Sequence, residues 1–116
     1  MDHYHIWCNL KPGVSDVEFA DGVERYLGEL RDAGRIEGFR LGRRKLGLGP
    51  GDLGEFHIVV EVRDLAQLDE AFRHVSTRSG VVEELHAAVN QSARDLTFAL
   101  YRDFPDPHRE RGSEKF

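Results

Sequence analysis

Polarity alternates with a period of two along DHYHIWCNLK, residues 2 to 11, yet neither face of the stretch is an ordinary water-facing one. Tyr4, Ile6, Cys8 and Leu10 point one way and His3, His5, Trp7 and Asn9 the other, which predicts a strand over residues 3 to 10, stopped by Pro12 and Gly13. In SDVEFADGVERYLGELRDAG the period changes. Phe19, Val23, Leu27 and Leu30, with Tyr26 beside them, recur at helical spacing, Ser15 and Glu18 form a capping box, and Gly34 is placed to end the helix. EGFRLGRRKLG alternates Phe39 and Leu41 with polar residues and predicts a second strand, interrupted by Gly38 and Gly42 and followed by the loop GLGPGDLG. EFHIVVEV, rich in β-branched residues, predicts a third. Asp64 can cap a second helix carrying Leu65, Leu68, Phe72 and Val75. Ser79 and Gly80 break it, and Val82, Leu85, Val89 and Leu96 continue as a further helical stretch. TFALYRDF predicts the last strand, so residues 1–104 form one domain and 105–116 a polar tail outside the fold.

The order strand, helix, strand, strand, broken helix, strand, joined by right-handed crossovers, gives an α+β fold of the ferredoxin-like kind. It is a four-stranded antiparallel sheet in the order 4-1-3-2 with the helices on one face. Each strand supplies that face with apolar residues: Tyr4, Ile6, Cys8 and Leu10; Phe39 and Leu41; Phe56, Ile58, Val60 and Val62; Phe98 and Leu100. The opposite face then carries His5, Trp7 and Asn9 from the first strand and Arg40 and Arg44 from the second. The third adds His57, Val59 and Glu61, and the fourth Ala99 and Tyr101. Such a face is too polar for a dry core, and its Trp and Tyr are awkward in bare water. A second subunit laid over it, leaving a cavity, is the economical solution.

Composition narrows the function classes. The 116 residues make one domain, too few for a cofactor domain plus a substrate domain. No apolar run is long enough to cross a bilayer, and MDHYHIW lacks the basic and apolar regions of a signal peptide. The single cysteine cannot form an internal disulfide, which fits a reducing compartment, and a cytoplasmic location is expected. With 16 Lys and Arg against 21 Asp and Glu the net charge is −5, which opposes non-specific binding to nucleic acid. WCNL and GEFHIVVEV look faintly like the strand motifs of an RNA-recognition domain, but parity decides against it. Ile6 stands where that motif places a stacking ring, and Trp7, one position off, faces the other side.

The order of elements and the opening strand resemble the dimeric α/β-barrel superfamily, in which two ferredoxin-like subunits pair their sheets into a barrel. More narrowly, HYHIW and NLK, GVSDVEFADGVERYL, RRKLG, LGEFH and FALYRDFPD resemble a family of small bacterial proteins of that fold with no assigned function, over roughly residues 3 to 106. Members of the superfamily include cofactor-free monooxygenases, isomerases, cyclases and haem-handling enzymes, so the resemblance implies a homodimer with a cavity, not a chemistry. None of their catalytic motifs is present, and no catalytic residue carries over.

His5 and His57 are therefore candidates on the residues alone, as general acid and base, because imidazole titrates near neutrality and parity puts both on the cavity face. Trp7 would pack a small aromatic or anionic ligand, Asn9 and Tyr101 would hold its oxygens, and Arg40 and Arg44 would fix an anion. Glu61 would orient neighbours of His57 or pair with Arg44. The two histidines with Glu61 have the ligand types for a transition metal but no tight motif spacing, and no cofactor is expected. Cys8 reads as a buried structural thiol, and His74 and His86 as solvated or partly packed side chains. GLGPG is not followed by a helix or by Gly-Lys-Ser/Thr, so it reads as a flexible loop or cavity lid. The alternative to a catalyst is a non-catalytic homodimeric binding or structural module in which the same face is only an interface.

Overall fold

Two-residue alternation and helical spacing each produce the expected elements in a computed structural model that describes residues 1–76, 87 and 89–105. They are β1 (Asp2–Leu10), α1 (Asp16–Asp32), β2 (Gly38–Arg43), β3 (Phe56–Val62), α2 (Leu65–Ser76) and β4 (Ala93–Arg102). The sheet runs β2-β3-β1-β4 and every pairing is antiparallel, which is the ferredoxin-like order. The break at Ser79 and Gly80, the positions Val82, Leu85 and His86, and the tail beyond residue 105 lie outside the described residues.

Local chemistry accounts for the boundaries. The Ser15 hydroxyl accepts from the Glu18 backbone N–H at the start of α1. At the other end Gly34 takes φ +73°, the left-handed conformation that glycine adopts without a Cβ penalty, while its N–H bonds to Arg31 O. Asp64 opens α2 by accepting from Gln67 N–H at 2.9 Å. One face of α1 buries Phe19, Val23, Leu27 and Leu30 against Cys8, Phe56, Ile58, Val60 and Val62 of the sheet.

Three details depart from the sequence pattern. Leu96 belongs to β4, which begins at Ala93. β1 extends to Leu10 and pairs with Arg94 and Ala93 across a register shift between Trp7 and Asn9, and this draws the preceding residues into the ladder. Within α2 the buried side chains are Gln67, Leu68 and Ala71, whereas Leu65 and Phe72 are exposed. Gln67 is buried because its carboxamide is fully used: Oε1 accepts from Arg63 N–H, and Nε2 donates to Gly34 O and to Glu37, tying the start of α2 to the end of α1. Finally, Phe98 and Leu100 share the helix-side face with Ile6 and Tyr4 yet remain 55% and 51% exposed. α1 lies against β2 and α2 against β3, and Val89 packs against the same core.

The loop between β2 and β3 returns to the sheet through Gly54, which is buried against the backbone of Cys8. A Cβ at this position would lie 2.4 Å from the Cys8 carbonyl carbon and oxygen. Backbone cannot yield as a flexible side chain does. Gly54→Ala should therefore lower the unfolding free energy by about 1–3 kcal/mol, the usual cost of overpacking, as measured by urea denaturation.

Candidate functional site

As a central strand β1 pairs with β3 on one side and β4 on the other, so its outward side chains have neighbours on both flanks. Three rows cross the face that carries no helix. Gly42, His57, Trp7 and Thr97 make one, Arg40, Val59, His5 and Ala99 the next, and Gly38, Glu61, His3 and Tyr101 the third. The pleat thus delivers four rings to one place. His5 Nδ1 and His57 Nε2 are 2.9 Å apart and hydrogen-bonded. The Trp7 indole stacks on the His57 ring with centroids 4.5 Å apart and planes 1° from parallel, and the Tyr101 ring meets His5 edge-on at 5.0 Å.

A hydrogen bond between two imidazoles needs one N–H and one bare nitrogen, so the pair holds one proton on the shared axis and excludes a second from it. Both histidines are held below the ordinary imidazole value, chiefly by burial. The proximity of His5 adds to this at His57, and that of His3 adds to it at His5. Among the described residues the outer nitrogens, His5 Nε2 and His57 Nδ1, have no hydrogen-bond partner. When one outer nitrogen takes up a proton, the proton of the shared bond can pass to the other ring, whose outer N–H then releases its own, which is the chemistry of a relay.

Beside the pair lies a cavity of about 250 Å³, walled by Trp7 and His57 on the sheet and by Leu48, Pro50, Leu53 and Gly54 of the loop. Arg44 shapes it. Its guanidinium donates to Pro50 O at 2.7 Å and to Leu53 O at 2.6 Å and so holds the loop folded over the sheet, without contacting Glu61. Asn9 is likewise engaged at both ends: Oδ1 accepts from Glu55 N–H at 2.9 Å and Nδ2 donates to Asp95 at 3.1 Å. Asp95 takes φ +57° at the register shift, and the Asn9 contact secures that turn of the strand. Arg40 is exposed on the open face opposite Val59, Tyr101 is exposed at the edge, and Glu61 stands in the His3 row.

The sequence did not single out His3 and Asp103. His3 Nε2 lies 2.7 Å from Asp103 Oδ1, and the N-terminal ammonium is 3.5 Å from the same carboxylate. The hydrogen bond to His3 holds the Asp103 carboxyl below its usual range. Parity gives His3 the same face as His5, but Asp103 arrives only because antiparallel pairing sets the end of β4 beside the start of β1. Arg43, one position from Arg44, turns to the helix side, pairs with Asp16 and Glu55, and lies over the Phe56 ring. Cys8 is buried, and burial pushes its thiol up to about 11, so it stays protonated near neutrality. Among the described residues no three metal-binding side chains converge, and no helix is long and apolar enough to cross a membrane.

The model of family DUF6614, a family of unknown function, matches residues 1–116. No curated protein matches the chain in sequence. In structure the chain is similar to At3g17210 from Arabidopsis thaliana, with 13% identity, a TM-score of 0.69, and 89% of this chain and 95% of that one covered. It is also similar to a dimeric ferredoxin-like protein of unknown function from Jannaschia sp. CCS1, with 13% identity, a TM-score of 0.62 and coverage of 89% and 100%. A third is the hydroxynitrile lyase from Passiflora edulis, with 16% identity, a TM-score of 0.62 and coverage of 91% and 96%. At these identities the likeness establishes the ferredoxin-like fold.

Because both pair members have depressed folded-state values, their contribution to stability is present above the unfolded imidazole value of 6.5 and is lost as the pH falls below it. Urea unfolding should therefore show a lower free energy at pH 5.5 than at pH 7.5, with a shallower dependence when both histidines are replaced by glutamine. His5→Asn should raise the His57 value toward 6.5, as read by histidine NMR titration, because one of its two depressing influences is removed. An unmoved His57 would show that the two rings do not interact.

Proposed function

The chain belongs to DUF6614, and we propose that it is a homodimer whose subunits meet through the open sheet face, binding a small aromatic or anionic molecule beside His57. The observation that carries this reading is the hydrogen-bonded His5–His57 pair, stacked on Trp7 at the edge of a cavity, with its outer nitrogens unengaged among the described residues. His57 and His5 relay a proton to or from the ligand, Trp7 packs against it, and Arg40 supplies the positive charge left available on that face. Asn9 and Arg44 serve the site by holding β4 and the loop in place. The dimeric state described for the Jannaschia protein, which shares the fold, supports the pairing of subunits. Glu61 and Tyr101 border the pair at the rim. A single cysteine cannot form an internal disulfide, which suits a reducing compartment, and a cytoplasmic location is part of the proposal.

Light scattering at micromolar concentration should give twice the 13.2 kDa mass of one chain; a single-chain mass would remove the dimer. Val59→Lys should weaken the dimer at least tenfold in Kd, about 1.4 kcal/mol, by burying a charge with no partner. Val60→Lys, whose side chain faces the helices, should instead unfold the subunit.

Benzoate serves as the probe of the site. In an NMR titration of the whole protein it should shift the His57 and Trp7 ring signals, and His57→Gln should abolish the shift at Trp7. Unmoved ring signals at millimolar benzoate would leave the face as an interface without a ligand.

A further inference from the structure

A second copy laid over the open face covers the His5–His57 pair with an image of itself. Such a contact is isologous, so each sheet presents the same groups to the other. No group on the face is placed to balance a charge on the pair. Arg40 of β2 is itself a cation, and the Arg44 guanidinium is committed to the carbonyls of Pro50 and Leu53. His3 of β1 and the N-terminal ammonium share the Asp103 carboxylate just past β4. Glu61 of β3 stands a row away from the pair, opposite His3, and Tyr101 of β4 meets His5 with the edge of its ring. Toward the Asn9 end, Asp95 is engaged by Asn9 and Arg94, and Glu55 by Arg43. Among the described residues no carboxylate bonds to either imidazole.

The shared bond gives the pair two distinct steps of proton uptake. A first added proton goes to the bare outer nitrogen, which keeps the bond and makes the pair a cation. A second finds only the shared axis, where two N–H groups would then face each other, so the rings must part and the Trp7 stack on His57 is disturbed with them. In a separate subunit water solvates both products. Under a partner, the first step sets two like charges, one from each copy, in a space of reduced dielectric, and the second breaks packing in the contact itself. Burial already holds both imidazoles below their ordinary value in the single chain, and a partner's cover adds to the same influence.

We propose that the His5–His57 pair is an acid-sensitive latch of the homodimer, which holds the two copies together while both pairs are neutral and releases them when the pairs take up protons. The latch rests on the reading of the open face as the dimer interface. Groups whose pKa is lower in the dimer than in the separate subunit favour the dimer above the subunit's value and the subunits below it, so Kd rises as the pH falls below 6.5. The same protons stop the relay, because a pair charged on both rings has no bare nitrogen left to receive another. Overall charge acts in the opposite direction. A chain of net charge −5 loses repulsion between copies as it nears its isoelectric point of about 5.6, so weakening on acidification points to particular groups on the face.

The test is sedimentation velocity of the full chain at pH 7.5 and 6.0 at equal ionic strength, with circular dichroism to verify that the subunit stays folded. The dimer Kd should rise at least fivefold between the two, and the double variant His5→Asn, His57→Gln should show no such rise. Should that variant not assemble, the native protein decides the matter through its His57 ring signal. Because proton and partner compete, the midpoint of the His57 NMR titration should move to lower pH as protein concentration is raised through Kd. A Kd equal or lower at pH 6.0, a midpoint independent of concentration, or the native pH dependence in the double variant would overturn the latch and leave the dimer standing. A single-chain mass at pH 7.5 would instead remove the dimer, and the latch with it.

Discussion

The structure depends on the pleat of one central strand. Alternate side chains of β1 must face opposite sides, and with β3 and β4 paired along both flanks the strand cannot shift by one residue without exchanging Ile6 and Cys8 for His5 and Trp7. The core on one side and the ring cluster on the other are therefore one choice of register. Cys8, 1% exposed, fixes the inner side of that choice, and the His5–His57 bond fixes the outer one.

The two faces are completed differently. On the helix side, apolar burial by α1 and α2 provides the main driving force, and the buried Gln67 is held with every hydrogen-bonding atom of its carboxamide engaged. On the open side, stacking among Trp7, His57 and His5 and the edge-on contact with Tyr101 shield the rings from one another only in part. A face of this kind gains most from a second protein surface, which removes the rest of the indole from water and strengthens the imidazole hydrogen bond by lowering the local dielectric. The same burial would press the imidazole pair further toward neutrality.

Much of this was legible in the sequence because it rests on period and chirality. Alternation in HYHIWCNL and FHIVVEV, the Ser15 cap and the glycine at residue 34 follow from local geometry, and handed crossovers then dictate the strand order and set His5 near His57. What escaped depends on contacts between segments far apart in the chain. Nothing near Arg44 says that its guanidinium will be spent on loop carbonyls, nothing near Gln67 says that Gly34 will receive its amide, and Leu96 reads as helical until the register shift at Asn9 lengthens β4. The exposure of Phe98 and Leu100 is of the same kind, since parity says which side a residue faces but not how fully it is buried.

Trp7 is the only tryptophan in the chain, so its indole reports on the open face without interference. The most direct measurement is acrylamide quenching of its fluorescence in the native protein and in the Val59→Lys variant, both at micromolar concentration. The account predicts an indole shielded from the quencher in the native protein and several times more accessible in the variant. Equal quenching of the two, at the level of the unfolded chain, would show that no second copy covers the face and would contradict the account.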